Sequence, residues 1–457
     1  MRKKLIALAL MITIILIMST TGCSKLFKKD PTPDPNIPGI NDPSGEDPVD
    51  PGDNPDISTD NRLSAPITRV PQEAVTAISF AAIRKGDLWL GSDKDHLWRQ
   101  TDSELVFEAV WAPDGHALAF LTMSAPEEPS CDLYTLVPGE SPVLIDKDVT
   151  AISAMLNTRG FIWSPDSTML AYSKGNGTEI ATAGPGEGRG SFLIDLELEQ
   201  GPYWLSNDRL AYSSTGERPS LVVVNTIGDI INTLPDTSGP FPLKDGLFAL
   251  TGEYDPEGMM SFFYTGIVHT GTDGNNIRQV FTGGTDSCLF SWNPHEPSRE
   301  GDARYFALSS ADSLYLQKYA GDTGAQQIKL LTQDVFLTYS EFSYPFWFAW
   351  APDGNSLAVL RFTLTLEGEY GEQEGIWDLG IVDRNGNWQL LQEELYSVGE
   401  AEEPIPFRIL PLNWALNGSQ INYLVENNDG DDVWQINLAD KKGSLFLENS
   451  SLPEYRP

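Results

Sequence analysis

The stretch Val110-Trp111-Ala112-Pro113-Asp114-Gly115, followed by Leu118-Ala119-Phe120, is the most informative segment of this chain for its fold. Pro113 fixes φ for the first corner of a type I turn, Asp114 accepts backbone hydrogen bonds, and Gly115 takes the left-handed conformation that follows. The strand before the turn delivers a tryptophan to a core, and the strand after the turn returns beside it. The stretch therefore predicts a tight β-hairpin.

The same pattern recurs along the chain, which predicts a repeat architecture. Two more copies are strong, at Trp163-Ser164-Pro165-Asp166-Ser167 and at Trp350-Ala351-Pro352-Asp353-Gly354. Weaker copies begin at Trp204, Trp292 and Trp414, and a degenerate unit keeps only its second strand, Gly246–Leu250. Four antiparallel strands in each unit of about 40 to 50 residues form one blade of a β-propeller. The sequence thus predicts an all-β propeller.

These repeats resemble the Trp-x-Pro-Asp-Gly…Leu-Ala-Phe repeat of TolB-type (WD40-like) propellers, over roughly residues 75–450. In that family the C-terminal strand completes the N-terminal unit. Here Ile78–Thr101 resembles strands two to four of a blade, and Ser450–Pro457 would supply the missing first strand. The resemblance implies eight four-stranded antiparallel blades, or seven if the N-terminal strands are surplus or shared. It implies the fold only, because this repeat serves many functions.

The N-terminus is typical of a bacterial lipoprotein signal peptide. Three basic residues precede the uncharged run Leu5–Met18, which at 14 residues is shorter than the roughly 20 that a transmembrane helix needs. Small residues then lead to Cys23, as in the lipobox whose cysteine carries the lipid, although Thr20 stands where that family prefers leucine. The alternative is an ordinary secretory signal in which Cys23 is incidental. We expect lipidation of Cys23, including palmitate, and attachment to the extracytoplasmic side of a membrane in a bacterial cell envelope.

A proline-rich acidic segment separates this signal from the repeats. Asp30–Pro66 carries nine prolines and nine acidic residues, and it is too poor in apolar residues to fold. Prolines favour an extended chain and like charges repel, so the segment predicts a semi-rigid stalk. The predicted organisation is a signal peptide at 1–22, a lipid-anchored disordered linker at 23–66 and the propeller at 67–457.

Composition excludes several classes of function. The chain has 457 residues with 65 acidic and 30 basic side chains, a net charge of −35, which argues against a nucleic-acid partner. Its 40 glycines and 32 prolines disfavour a helical bundle. Three cysteines are too few for a disulfide-stapled scaffold, and Cys131 and Cys288 lie about three units apart, so two buried thiols are expected.

The sequence contains no local catalytic or metal-binding motif and predicts a non-catalytic protein without a cofactor or a metal; a metal site assembled at the propeller axis from several blades is the alternative. The histidines fall in different units with no paired-ligand spacing: His96, His116, His269 and His295. The chain lacks the Gly-x-Ser-x-Gly elbow of hydrolases and the Lys-Ser/Thr ending of a phosphate-binding loop. Asn427–Asp432 resembles a calcium loop in charge alone, and a hairpin turn is the favoured interpretation.

Two further groups of residues have open interpretations. Glu367–Glu372 and Glu400–Glu403 are acidic loop insertions, either solvated surface or attraction for a cationic partner. Trp98, Trp347 and Trp388 stand outside the repeated tryptophan position, where an exposed aromatic ring could stack on a sugar or clamp a peptide. Packing in the core or between blades is favoured for all three.

The leading functional hypothesis is therefore an envelope-anchored propeller that binds a protein or another macromolecule such as a polysaccharide. The membrane is contacted through the N-terminal lipid, and a monomer is expected. An alternative is a propeller-type carbohydrate-active enzyme, a lyase or glycosidase, which needs polar groups converging on the central axis. A sensor of small ligands is a further alternative, and it needs a formed pocket at that axis. The binding residues are not identified by the sequence.

Overall fold

The computed structural model describes residues 69–457 except 125–129, 151–159, 175–176, 178, 185–189, 195–197, 215–217, 244–245, 255–261, 283–287, 293–303, 311–312, 320–324, 333–347, 368–372, 399–411 and 428–429. In parts of some strands, including all of β20–β23 below, only the backbone is described. The predicted signal peptide and linker, with Cys23, lie outside the described residues.

The repeated turn has the predicted geometry. The N–H of Gly115 donates to the carbonyl of Ala112 at 2.8 Å, and Gly115 has a φ of +68°. Gly354 and Gly418 repeat the turn at φ +66°, and Ser167 holds the left-handed conformation at +64°. This turn directs each second strand back along the first.

The first half of the chain forms four blades, preceded by a short 3₁₀ helix at Gln72–Ala77. Their strands are β1 (Phe80–Arg84), β2 (Asp87–Asp93) and β3 (His96–Arg99) in blade 1; β4 (Val106–Trp111), β5 (Leu118–Met123), β6 (Ser130–Leu136) and β7 (Val143–Thr150) in blade 2; β8 (Phe161–Trp163), β9 (Leu170–Lys174), β10 (Glu179–Ala183) and β11 (Gly190–Leu193) in blade 3; and β12 (Leu198–Ser206), β13 (Arg209–Ser214), β14 (Ser220–Asn225) and β15 (Ile230–Pro235) in blade 4.

The second half forms four more blades and one closing strand. These are β16 (Thr237–Leu243), β17 (Gly246–Tyr254), β18 (Phe262–Thr270) and β19 (Arg278–Thr282) in blade 5; β20 (Cys288–Trp292), β21 (Arg304–Ser310), β22 (Ser313–Tyr319) and β23 (Ala325–Thr332) in blade 6; β24 (Phe348–Trp350), β25 (Ser356–Glu367), β26 (Gln373–Asp383) and β27 (Trp388–Val398) in blade 7; β28 (Leu412–Trp414), β29 (Gln420–Asn427), β30 (Gly430–Asn437) and β31 (Gly443–Leu447) in blade 8; and β32 (Glu454–Tyr455).

Consecutive strands pair antiparallel within each blade, and the C-terminal strand β32 pairs with β1. Blade 1 therefore takes its innermost strand from the C-terminus and its other three from the N-terminus, as the resemblance implied. The pair Val149↔Lys174 joins blades 2 and 3 into one eight-stranded sheet. The described strands thus make eight blades of a β-propeller, which confirms the favoured count over seven.

The hydrophobic core lies between the blades. One cluster contains Phe161, Tyr172 and Leu133 from blades 2 and 3, and another contains Leu234 and Leu247 from blades 4 and 5. Blade 8 packs on blade 1 through a cluster that includes Phe80 and Val433. Second strands such as β5 and β9 are buried at successive residues because they contact a neighbouring blade on both faces, which is why the repeat has apolar residues at successive positions.

The degenerate unit at Gly246–Leu250 is a complete blade in the structure. Its first strand is β16, which the sequence analysis missed because it carries no tryptophan. Gly239 and Pro240 stand within β16, where the pairing register shifts between Ser238 and Phe241. A bulge and two prolines hide the alternation that normally marks a strand.

Candidate interaction surface

The repeat tryptophans join neighbouring blades at their innermost strands. In four of them the indole N–H donates to a backbone carbonyl in the innermost strand of the preceding blade. The four described bonds run from Trp111 to Glu454 at 3.0 Å, from Trp163 to Val110 at 3.1 Å, from Trp204 to Ile162 at 3.1 Å and from Trp414 to Ala349 at 2.8 Å. These side chains are buried, so they stabilise the fold and do not offer rings for ligand stacking.

A polar network replaces this bond where the chain closes. Tyr455 stands in β32 at the position of the tryptophan, and its hydroxyl lies 3.0 Å from Asn422 Nδ2. Asn422 is fully buried and also contacts Asn413 and Gln435. Burial raises the pKa of Tyr455, so its hydroxyl stays protonated. The network fixes β32 in place and is structural.

The described histidines are separated, as their spacing predicted. His96 Nδ1 lies 2.8 Å from Asp93 Oδ1 at the exposed β2–β3 turn, and His116 follows the Pro-Asp-Gly turn. The ring of His269 stands edge-on to Phe248 in blade 5. Among the described residues, no group of three or more His, Cys, Asp or Glu side chains could hold a metal ion. His295 lies outside them.

Two acidic side chains are held in bonds between strands. Asp87, 3% exposed, accepts from Thr101 Oγ1 at 3.0 Å and pairs with Arg99. The bond to Asp87 raises the pKa of Arg99. Burial raises the pKa of Asp146, but the hydrogen bonds from Lys174 and Tyr172 outweigh it and lower that pKa below its usual value. Asp146 is therefore ionised, and both carboxylates make contacts that stabilise the blades.

The exposed apolar residues point to a different surface. Nine large hydrophobic side chains are exposed in the described part of the chain, and four of these are isoleucines of blades 4 and 5. We call these four the isoleucine rim: Ile227 (72% exposed), Ile230 (63%), Ile231 (40%) and Ile277 (58%). Clustered exposed apolar residues mark interaction sites in soluble proteins, whereas single ones do not.

The turn that carries Ile227 is tightly fixed. Asn225 Oδ1 accepts the N–H groups of Ile227 at 3.1 Å and Asp229 at 2.8 Å. Gly228 has a φ of +90°, and a Cβ at this position would come within 2.5 Å of the Phe192 side chain in blade 3. The turn therefore packs against blade 3 at Gly228 and holds the exposed Ile227 and Ile230 in one backbone conformation.

Blade 5 supports the rim from its other side. Asn232 Nδ2 donates to the carbonyl of Gly274 at 2.8 Å, and Gly274 also lies against the side chain of Leu234. Ile277 follows in the same turn and begins the approach to β19. Ile231 is the extra residue of a β-bulge, since Ile230 pairs with Val224 and Asn232 with Val223. The bulge explains why two consecutive isoleucines are both exposed.

β15 is the outermost strand of blade 4, and it carries no charged residue from Ile230 to Pro235. The outermost strand of blade 2, β7, instead contains Asp146, Lys147 and Asp148. Proteins usually place charges on edge strands to prevent pairing with other chains. An apolar edge without charges is therefore suited to contact a partner.

The sequence analysis did not identify this rim. The run from Ile227 to Leu234 reads as an ordinary strand, and nothing in it indicates which isoleucines are exposed. The pair Ile230-Ile231 next to Gly228 and Asp229 was the available signal, because consecutive apolar residues break the alternation of an outer strand.

The remaining residues that the sequence singled out lie in packing contacts, in a hairpin or outside the described residues. Trp98 packs against the core between blades 1 and 2, which is the favoured role, whereas Trp388 lies over Gly380 on the neighbouring strand of blade 7. Asn427 pairs with Gly430, which confirms a hairpin between β29 and β30. Cys131 is buried. Trp347, the Cys288 side chain and the acidic loops at 368–372 and 400–403 lie outside the described residues.

Several solved structures are similar in structure to this chain at low sequence identity. The eukaryotic initiation factor is 12% identical over 83% of this chain and 98% of its own, with a TM-score of 0.49. Oligogalacturonate lyase from Vibrio parahaemolyticus is 13% identical over 72% and 89%, at 0.42. The β-propeller domain of the trilobed protease from Pyrococcus furiosus is 13% identical over 76% and 98%, at 0.41. The fold assignment rests on the strand pairing of the chain itself.

No protein-family model matches the chain, and no curated protein matches its sequence. The resemblance to TolB-type propellers therefore stays a prediction. Within the described residues, no helix has the length and apolar character needed to cross a membrane.

Proposed function

We propose that this protein is an envelope-anchored lipoprotein whose TolB-like propeller binds a protein partner and catalyses no reaction. The isoleucine rim carries this proposal, because four exposed isoleucines lie on two adjoining blades, in and beside an edge strand without charged residues. Such a surface favours macromolecular contact over a small-molecule site, which is typically concave.

The anchor and the stalk are the second part of the proposal. The signal-like N-terminus with Cys23 would hold the protein at a bacterial membrane through lipid, and the segment to residue 66 would lift the propeller away from it. A net charge of −35 supports this separation, because anionic headgroups repel an acidic domain. The propeller would then meet its partner in the space outside the membrane.

Mass spectrometry of the protein purified from envelopes tests the anchor. We expect a mature N-terminus at Cys23 that carries acyl chains and incorporates labelled palmitate, and Cys23→Ser should remove both. An N-terminus at another residue, or an unmodified Cys23, would contradict the anchor and leave a secreted propeller.

Cross-linking of intact envelopes tests the binding function. The wild-type chain should capture one protein in stoichiometric amount, and the double variant Ile230→Ser/Ile231→Ser should lose most of it. The matched control is Val143→Ser/Leu144→Ser, which changes an exposed apolar pair at the start of β7. Equal capture by both variants would show that the rim is not the binding surface.

A further inference from the structure

We propose that β15 accepts an extended cationic segment of a partner protein as a fifth strand of blade 4, and that the isoleucine rim contacts alternate side chains of that segment. This inference rests on the proposed function and adds the binding mode and the chemistry of the partner. An exposed strand edge binds such a segment through backbone hydrogen bonds, and neighbouring side chains supply specificity.

The backbone of β15 is suited to this role. It pairs with β14 on one side, and no described strand pairs with its other side. Asn232 Oδ1 accepts the N–H of Thr233 at 2.9 Å, so this group is satisfied within the strand until another acceptor replaces the side chain. Such a local bond satisfies the N–H of Thr233 while no partner is bound, and it leaves the outer edge of β15 available to a partner strand.

The strand is ordered before any partner arrives. Asn232 donates a hydrogen bond to the blade 5 turn at Gly274. The turn that precedes β15 packs against the Phe192 side chain at Gly228. Leu234 anchors its far end in the core between blades 4 and 5. Because these contacts already fix the backbone, binding does not have to overcome the entropy of ordering this strand.

The net charge of the chain favours a cationic segment as the partner over a second copy of the chain or an anionic lipid surface. The chain carries −35, so a second copy of it and an anionic lipid surface are both repelled over the distance at which charges act in solution. A cationic segment is attracted by the same field, and β15 itself brings no positive charge to oppose it. The partner segment therefore combines apolar residues at alternate positions with flanking lysine or arginine.

Fluorescence anisotropy with a synthetic peptide tests this mode on the full chain. The probe is a nine-residue peptide of alternating valine and threonine with two lysines at each end. A second probe is identical except for methyl groups on alternate backbone nitrogens, which remove the donors that a strand pairing needs. We expect the methylated peptide to bind about tenfold more weakly, since two lost hydrogen bonds correspond to about that factor.

The variants locate the site. Ile230→Ser/Ile231→Ser should weaken the unmodified peptide about fivefold or more, because each exposed isoleucine loses apolar contact. The control Val143→Ser/Leu144→Ser should leave the affinity within about twofold, the scatter expected for a surface change away from the site. Equal binding of the two peptides, or equal effects of the two variants, would overturn the proposal.

Three outcomes separate this inference from the proposed function. Capture of a protein through the rim in envelopes, with no peptide binding, would leave the function standing and reject strand addition. Binding of phosphatidylglycerol vesicles that the rim variant abolishes would assign the rim to a membrane and overturn both. Dimerisation of the purified chain that the rim variant abolishes would assign it to a second copy, again against both.

Discussion

At the scale of single residues, the tryptophan of each repeat has a role that spacing alone does not reveal. These tryptophans were predicted to fill a core, and Trp111, Trp163, Trp204 and Trp414 are buried there; the indole N–H of each of these four also bonds the preceding blade. The structure provides a contrast at Trp89, whose buried Nε1 has no hydrogen-bond partner among the described residues. Comparing Trp163, whose indole N–H is hydrogen-bonded, with Trp89 therefore separates the contribution of this hydrogen bond from the contribution of the buried ring.

We predict that Trp163→Phe lowers the free energy of unfolding by about 0.5–1.5 kcal/mol more than Trp89→Phe does, which is the usual net value of one hydrogen bond. Trp163 loses its bond to Val110, whereas Trp89 loses only ring contacts, including the Arg84 guanidinium 5.1 Å from its centre. Urea unfolding of both variants measures the difference. A larger loss for Trp89→Phe would show that the indole bond contributes nothing.

A glycine controls the presentation of the rim. Gly228→Ala adds a Cβ within 2.5 Å of Phe192 at a φ of +90°, whereas Gly418→Ala meets only Pro352 at 3.8 Å at a φ of +66°. Left-handed backbone costs alanine about 1–2 kcal/mol, so Gly418→Ala should show that loss alone. Gly228→Ala should be more destabilising and should also weaken partner capture. Equal losses of stability in the two variants would place Phe192 away from this turn.

At the scale of elements, the Pro-Asp-Gly turn was predictable because its chemistry is local. The backbone hydrogen bond from Asn355 lowers the pKa of Asp353, and the hydroxyl of Ser164 does the same for Asp166. A lowered pKa in the folded state means that ionisation stabilises the fold above the unfolded pKa near 3.8. This contribution disappears as the pH falls through the folded pKa.

We therefore predict that Asp353→Asn destabilises the protein at pH 6 and that this difference from the wild type shrinks as the pH approaches 3. The amide keeps an oxygen acceptor but carries no charge at any pH. Comparing the two proteins cancels the effect of the other acidic residues. A difference in urea midpoint that stays constant from pH 6 to 3 would contradict the assigned role of the carboxylate.

The limits of the sequence are also visible at this scale. Blades 2, 3 and 7 follow from strong copies of the repeat, and the closure by β32 follows from the three-stranded unit at the N-terminus. Blade 5 was predicted only as a degenerate unit, and its first strand β16 was missed because Gly239 and Pro240 stand where the tryptophan pattern is expected. The isoleucine rim was not predicted, because the exposure of these isoleucines depends on the bulge at Ile231 and on contacts with blades 3 and 5, which are distant in sequence.

At the scale of the whole molecule, the ends of the chain hold the propeller together. Arg456 donates to the carbonyls of Gly115 at 2.6 Å and Val75 at 2.9 Å, and it lies 5.4 Å over the Trp111 ring. Arg84 makes a matched control, since it lies over a tryptophan but has one described backbone acceptor, Glu448. The closing strand is short, so these side-chain bonds supply much of its stability.

We predict that Arg456→Ala lowers the free energy of unfolding by about 2 kcal/mol more than Arg84→Ala, because Arg456 loses at least one more hydrogen bond from a charged donor than Arg84 does. Deletion of residues 454–457 should have a larger effect and should expose blade 1 to proteases. Thermal unfolding and limited proteolysis measure both changes. A deletion variant as stable as the wild type would show that β32 does not close the fold.

Site-specific photo-cross-linking in intact cells shows directly which surface of the propeller contacts a partner. A photoreactive amino acid is placed in turn at Ile227, Ile230 and Ile277, and at Val143 and Leu416 as exposed apolar controls. We predict that the three rim positions cross-link to one protein and that the controls do not. Cross-links at the control positions with none at the rim would contradict the claim that this propeller binds its partner through blades 4 and 5.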